Sequence, residues 1–151
     1  MARGKFVFPV VSEVLDEPRI RPFQNASGAS LDAGDVQAWV LGTGGRKTTQ
    51  NVSAANIAAI AGVVAGSSAE GESVSDNGYG QLFTQGVVDV LVEGTVAIAA
   101  GDILKAVAGQ KYLVKDASTA TPLNGRPMFV AMEAYSTASA AKIKVKVDCP
   151  D

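Results

Sequence analysis

The chain has 151 residues, enough for one domain with a real core, and 47% of them are hydrophobic but only 6% aromatic. Its net charge of −2 excludes a basic platform for DNA or RNA, and its lack of histidine excludes Ser-His-Asp triads and the usual zinc sites. The single cysteine, Cys149, excludes an intrachain disulfide, and we expect it to be incidental and near a frayed end.

Residues 1–25 are predicted to form an extended N-terminal arm. Pro9, Pro18 and Pro22 exclude a regular helix or a central strand. The arm is nevertheless richer in phenylalanine and valine than disordered tails are, so we expect it to pack onto a partner. The alternative is that it packs back onto its own domain. The candidate partner-contact residues are Phe6, Val7, Phe8, Val10, Val11, Ile20, Arg21 and Phe23.

Short apolar runs separated by glycine turns follow from residue 26, and this pattern favours an all-β domain over residues 26–151. Val36 to Leu41 is predicted to be a strand. Ser53 to Ala61 permits one short helix capped by Ser53, whereas Ala61 to Ala65 favours a buried strand. The Asn77-Gly78 step predicts a surface turn of the hairpin type.

Two later runs show strict alternation. In Gly86 to Gly94 the residues Val88, Val90 and Val92 share one face, which predicts a strand. In Lys142 to Val147 the apolar residues share one face and the lysines the other, which predicts a half-buried strand. The lysine row is able to bind an acidic surface, but solvation and protection against edge pairing is the favoured interpretation.

An Ala-Gly-Asp step occurs twice, at residues 33–35 and 100–102. We expect the aspartates Asp35 and Asp102 to satisfy backbone donors in turns that enter strands. The runs after each step are also similar. Internal duplication and a recurring turn–strand unit both explain this echo.

No recognisable constellation for catalysis is present. The glycine-rich run Leu41 to Thr48 lacks the G-x-x-x-x-G-K spacing of a phosphate-binding loop and predicts a hairpin loop instead. Carboxylate pairs such as Asp16-Glu17, Glu70 with Glu72, or Asp35 with Asp102 would suit acid/base chemistry, but nothing in the sequence brings them together. We therefore expect no enzyme, no catalytic or metal-binding residue and no cofactor.

Neither a membrane segment nor a secretory leader is predicted. The apolar stretch Ile57 to Gly66 is far shorter than the roughly 20 residues that span a bilayer. The charged start is followed by apolar residues that proline and polar residues interrupt. The chain is therefore expected to be made and folded without export, and without a membrane or a nucleic acid as partner.

The stretch Gly86 to Val107 (GVVDVLVEGTVAIAAGDILKAV) and the stretch Ala26 to Val40 resemble the small decoration, or cement, proteins of tailed bacteriophages. In that family an apolar strand leads through an Ala-Gly-Asp turn into another strand. Gly62 to Ala65, followed by Glu70 to Val74, is similar as well. The resemblance implies a mainly β, compact, barrel-like domain of the β-tulip type.

This resemblance also implies a function. Proteins of this family bind the outside of the capsid at three-fold positions as trimers and clamp neighbouring capsomers. The expected partners are the major capsid protein and further copies of the chain, and the expected location is the outer surface of the virion. The alternative is a β-sandwich carbohydrate-binding or adhesion module, for which Trp39 and three tyrosines provide limited aromatic support.

Overall fold

A computed structural model of the chain describes residues 18–42, 47–67, 71–117 and 127–150. The prediction of a mainly β, compact domain is confirmed, because these residues form eleven strands and no helix. None of the described segments is therefore a helix that could cross a membrane. The strands are β1 (Arg19–Asn25), β2 (Leu31–Asp32), β3 (Val36–Trp39), β4 (Thr48–Asn51), β5 (Ile60–Gly66), β6 (Ser73–Val74), β7 (Tyr79–Val92), β8 (Ile103–Ala106), β9 (Leu113–Lys115), β10 (Phe129–Ala131) and β11 (Ala141–Asp148).

The longest strand, β7, has 14 residues and organises the sheet. Its first half pairs with β1 and β5, and its second half pairs with β11 and, at Val92, with β9. The strand predicted at Gly86 to Gly94 is confirmed as this second half: Val88, Val90 and Val92 are buried, and Val87 is exposed. The alternation runs through both halves because each half has one face on a core.

Two closed barrels result from these pairings. In the first barrel the strands follow the order β1, β4, β3, β5 and residues 79–85 of β7, which pairs again with β1. In the second barrel residues 85–92 of β7 are followed by β11, β10, β8 and β9, which returns to β7. Closure pairs the edges that an open sheet would expose, so these strands offer little template for further strand addition.

The two barrels repeat the same pairing, which identifies the sequence echo as a structural repeat. Val36 of β3 pairs with Val63 of β5. Ile103 of β8, 67 positions after Val36, pairs with Val130 of β10, 67 positions after Val63. Both pairs are antiparallel. In each pair the first residue, Val36 or Ile103, directly follows an Ala-Gly-Asp step.

The closing contact of each barrel is repeated as well. In the first barrel Asn25 pairs in parallel with Thr49, and in the second barrel Val92 pairs in parallel with Leu113. Residues 85–92 of β7 thus take the place in the second barrel that β1 takes in the first. Because β1 runs antiparallel to β7, the two units point in opposite directions along the shared strand.

The core consists of two clusters. One joins strands of the first barrel to the separate pair of β2 and β6, and its members are Phe23, Leu31, Trp39, Ala61, Val64, Val74 and Leu82. The other joins the interior of the second barrel to residues of β3 and β5, so it also holds the two units together. Cys149 belongs to this second cluster and is 1% exposed, so the expectation of a frayed position for it was wrong.

The predicted boundary at residue 25 lies inside the body. Arg19–Asn25 is β1, which pairs with β7 along its length and with β4 at Gln24 and Asn25. Pro22 is tolerated because β4 reaches only the last two residues of β1, so the proline has a strand neighbour on one side only. Residues 1–17 of the predicted arm lie outside the described residues.

The short helix permitted at Ser53 to Ala61 is not formed. Residues 54–58 make successive turns, with backbone hydrogen bonds from Asn56 to Ser53 and from Ala59 to Asn56. The Ser53 side chain was expected to accept a backbone N–H as a helix cap. Instead the Ser53 N–H donates to the side-chain oxygen of Asn56. The buried strand predicted at Ala61 to Ala65 is confirmed as part of β5.

Gly86 lies where the two units share β7, and its φ is +118°. A β-carbon there would lie 2.8 Å from the Cα of Pro18. Gly86→Ala should therefore lower the free energy of unfolding by about 2–4 kcal/mol, from backbone strain and the close approach together. Gly109→Ala is the matched control, because its φ is +84° and no atom lies near the added methyl group; it should cost only about 1–2 kcal/mol. Equal losses in chemical denaturation would contradict the close packing at Gly86.

Candidate interaction surfaces

The candidate partner-contact residues fall in different places. Those from Phe6 to Val11 lie outside the described residues. Ile20 is 52% exposed on β1 and remains available to a partner. Arg21 lies over the indole ring of Trp39, with 5.3 Å from the guanidinium carbon to the ring centroid. Phe23 is 2% exposed inside the first barrel, so for Phe23 the alternative of packing on its own domain applies.

A groove of about 350 Å³ lies on the outside of the first barrel beside β1. We call it the open groove; it is lined by Arg21, Pro22, Phe23, Gln24, Lys47 and Tyr79. Tyr79 is 72% exposed, the highest value among the large apolar or aromatic side chains of the described residues. The charged side chains of the lining are both basic, so the groove favours an apolar partner that carries a carboxylate.

The two Ala-Gly-Asp steps form turns of the same geometry, as the sequence predicts. We call residues 33–35 the first turn and residues 100–102 the second turn. The Asp35 carboxylate accepts the backbone N–H of Asp32 at 2.9 Å, and the Asp102 carboxylate accepts that of Ala99 at 2.8 Å. The glycines of the turns have φ of +99° and +93°, a region that residues with a β-carbon seldom adopt.

The first turn lies against the second barrel and is held there by backbone hydrogen bonds. The Gly34 carbonyl accepts the N–H of Leu91 at 2.9 Å. The N–H of Val36 donates to the Lys111 carbonyl, also at 2.9 Å. The turn therefore sits between β7 and the residues that lead into β9.

Side chains complete this contact. The Nζ atom of Lys111 lies 3.8 Å from the Asp35 carboxylate, and Asp35 is 5% exposed. The aliphatic part of Lys142 covers Gly34, where an added β-carbon would lie 3.1 Å from Cε. We call Leu91, Lys111 and Lys142 the covered face of the second barrel.

The second turn has no such cover among the described residues. Ala100 and Gly101 are exposed, and a β-carbon built on Gly101 meets no atom within 4 Å. Asp102 forms an ion pair with Lys115 of its own barrel at 3.2 Å. The same motif is thus buried in one copy and open in the other.

The two aspartates titrate differently because of this difference in burial. Desolvation raises the pKa of Asp35 above its ordinary value, even though the Asp32 N–H and Lys111 favour the charged form. The hydrogen bond from Ala99 and the contact with Lys115 lower the pKa of Asp102. Ionised Asp35 therefore costs stability, and ionised Asp102 contributes stability.

Of the carboxylate pairs considered from the sequence, Asp35 with Asp102 is the one that lies wholly within the described residues. Asp35 and Asp102 each have their own lysine and lie in separate turns, so they do not form an acid/base pair. Asp16, Glu17 and Glu70 lie outside the described residues. No group of histidine, cysteine, aspartate and glutamate suited to a metal ion is found in the described part of the chain. Residues 43–46 of the glycine-rich loop also lie outside the described residues. The loop connects β3 to β4, and these two strands pair antiparallel as a hairpin.

Asn25 is a structural residue that the sequence did not single out. Its fully buried amide donates to the carbonyls of Ala29, Val74 and Ser75, and its oxygen accepts the Ser27 N–H. It thereby fixes the loop after β1 against β6. The Asn-Ala-Ser-Gly sequence there is a turn signal, but it does not indicate that the asparagine is buried.

A scan with protein-family models and a search of curated proteins each return no match to this chain. The resemblance to phage decoration proteins therefore stays a prediction.

Asparagine variants of the two aspartates should respond to pH in opposite ways. Asp35→Asn keeps an acceptor for Asp32 but removes the buried charge, so it should raise the free energy of unfolding at pH 7. This gain should shrink as the pH falls through the raised pKa of Asp35, where the wild-type carboxyl takes up a proton. Asp102→Asn should lower stability at pH 7, and its loss should disappear only as the pH falls through the lowered pKa of Asp102.

Urea denaturation between pH 3 and 7 measures both effects, and Asp35→Ala is the control for the turn itself. Alanine also removes the charge, but it leaves the Asp32 N–H without its acceptor, so Asp35→Ala should be less stable than Asp35→Asn by about 1–3 kcal/mol throughout this range. Two asparagine variants with the same sign at pH 7 would contradict the assignment.

Proposed function

We propose that this protein is a structural virion protein that binds the outside of a phage capsid and stabilises the shell by clamping neighbouring capsomers. It acts as a homotrimer at three-fold positions, and its main partner is the major capsid protein. The sequence resemblance supplies the family. The geometry supports a mechanical role more than a chemical one, for reasons that lie in the body and in β1.

The body is built to be rigid. Two closed barrels share β7, and no buried side-chain nitrogen or oxygen of the described residues lacks a hydrogen-bond partner. Strain placed on one barrel passes to the other through paired backbone instead of through a flexible linker. A clamp needs this property, because it must resist the outward pressure of packaged DNA.

The observation that carries the proposal is the pair of exposed large side chains on β1 and on the strand that pairs with it, β7. Ile20 and Tyr79 are both exposed on the ladder that β1 forms with β7, and they lie four residue pairs apart along it. The residues that precede β1 include Phe6 and Phe8. Exposed apolar groups in one region of a surface mark a contact with another protein.

A carbohydrate-binding module is the second candidate, and Tyr79 is the observation that favours it. An exposed aromatic ring beside Gln24, Arg21 and Lys47 offers both stacking and polar contacts to a sugar. Trp39, the other aromatic residue considered from the sequence, is buried under Arg21 and is not available.

The proposed function predicts saturable binding to expanded capsids that lack their decoration protein, prepared from the coat protein of the same virus. Co-sedimentation should show at most three copies per three-fold position and a higher temperature of shell disruption. Phe6→Ser combined with Phe8→Ser should weaken binding by at least a hundredfold, since each buried phenylalanine contributes about 1.5–3 kcal/mol.

Val96→Ser is the matched control, because Val96 is exposed in the loop between β7 and β8 and belongs to neither β1 nor the residues before it; it should bind as the wild type does. Shells that take up no protein would refute the proposed function. Binding of a soluble glycan that Tyr79→Ala abolishes would establish the second candidate in its place.

A further inference from the structure

The open groove of the first barrel occupies the same place as the covered face of the second barrel. Gln24 pairs with Tyr79 between the first and last strands of the first barrel, and Leu91 pairs with Lys142 between the corresponding strands of the second. Tyr79 is therefore the structural counterpart of Lys142, and Gln24 is the counterpart of Leu91.

The lysines correspond too. Lys47 stands two residues before Thr49, which pairs with the end of β1, and Lys111 stands two residues before Leu113, which pairs with the end of β7. In both barrels a lysine thus flanks the same junction of strands. The two faces share a basic group in the same position.

Only one of these equivalent faces is occupied within the chain. The covered face of the second barrel holds the first turn, through the bonds to Leu91 and Lys111 described above. The open groove of the first barrel holds no turn among the described residues, and there the Gln24 N–H bonds to the Lys47 carbonyl instead, at 2.9 Å. The second turn, the counterpart of the first, is exposed.

We propose that the open groove of one copy receives the second turn of another copy, and that this contact repeats the one made inside the chain. Asp102 then meets Lys47 as Asp35 meets Lys111, and Gly101 packs beneath Tyr79 as Gly34 packs beneath Lys142. The Gln24 N–H leaves the Lys47 carbonyl and donates to the Gly101 carbonyl of the turn. This repeats the bond that the Leu91 N–H donates to the Gly34 carbonyl in the second barrel.

Two features of the surfaces support a second copy as the occupant. The groove has two basic side chains and no acidic one in its lining, and the second turn carries a carboxylate. Glycine at position 101 leaves open space in which the ring of Tyr79 fits, as the space at Gly34 admits Lys142. The geometry of the contact is already built once inside the molecule.

The contact is head to tail, because the groove lies on the first barrel and the turn on the second. Contacts of this kind close into cycles or extend into filaments. Three copies in a closed cycle place six similar barrels around one axis, with the contact inside each chain alternating with the contact between chains. The inference deepens the proposed function and rests on its expectation of self-association, but not on binding to a shell.

The test uses the full chain, with light scattering on a sizing column over a range of concentrations. The wild type should elute as a multiple of the 15.4 kDa chain mass, and as a trimer if the cycle closes at three copies. A groove variant, Lys47→Glu with Tyr79→Glu, repels Asp102 and should be monomeric. A turn variant, Ala100→Trp, blocks entry of the turn and should be monomeric as well.

Mixing the two variants gives the sharpest result. The groove variant still offers a native turn and the turn variant still offers a native groove, so one contact forms and both remaining ends are defective. The mixture should therefore yield a species of twice the monomer mass and nothing larger. Ser139→Glu, a charge change at an exposed loop position, should associate as the wild type does.

A wild type that stays monomeric at every concentration overturns the inference. A turn variant that still associates overturns it too, since another segment, such as residues 1–17, would then fill the groove.

If a variant is unfolded by circular dichroism, cysteine pairing replaces it: Tyr79→Cys and Ala100→Cys chains should form a disulfide when mixed and none alone. A cross-link in either variant alone also overturns the inference. Shell binding by a monomeric wild type would refute the inference and a preformed homotrimer, and it would leave shell binding and stabilisation, the rest of the proposed function, intact.

Discussion

The rest of the structure depends on a single strand that serves two barrels. Over its 14 residues, β7 is the last strand of the first barrel and the first strand of the second. This double role requires buried residues at alternate positions in both halves, over residues 80–84 and 88–92, and it requires Gly86 where the two units meet. Because one continuous backbone closes both barrels, neither unit can change its register without disturbing the other. The two units are therefore joined through one continuous strand in spite of the internal repeat.

The internal repeat is symmetric in its backbone and asymmetric in its surroundings. The first and second turns have the same hydrogen bonds and the same glycine conformation, yet one is buried between the barrels and the other faces outward. The pKa values of their aspartates shift in opposite directions, mainly because burial desolvates Asp35 while the Ala99 N–H and Lys115 stabilise the charge of Asp102. Because the first turn occupies the covered face within the chain, the open groove of the first barrel and the second turn are left unoccupied among the described residues. Such unoccupied surfaces suit a protein that works as part of a larger array, as a clamp on a shell would.

Several local features could be predicted from the sequence because they depend on near neighbours. The alternation in β7 and β11 depends only on which residues face a core, and the role of Asp35 and Asp102 depends on donors three residues away. The candidate contact residues were less predictable. Phe23 and Ile20 are both apolar and three residues apart, but the first is inside a barrel and the second is exposed. Strand alternation places the two on opposite faces, but only the pairing of β1 with β7 makes this segment a strand with Phe23 turned inward, and that pairing joins residues about 60 positions apart in the chain.

The sequence by itself determined a mainly β chain, its glycine-marked turns and the absence of histidine chemistry. These follow from composition and from periods of two residues, which local sterics and solvation impose. The tertiary structure decided that the end of the predicted arm is a strand, that Cys149 is in the core, and that two similar turns have different environments. Each of these depends on contacts between distant residues, whose partners a local pattern does not specify. Burial against a distant partner is what distinguishes the covered face from the open groove.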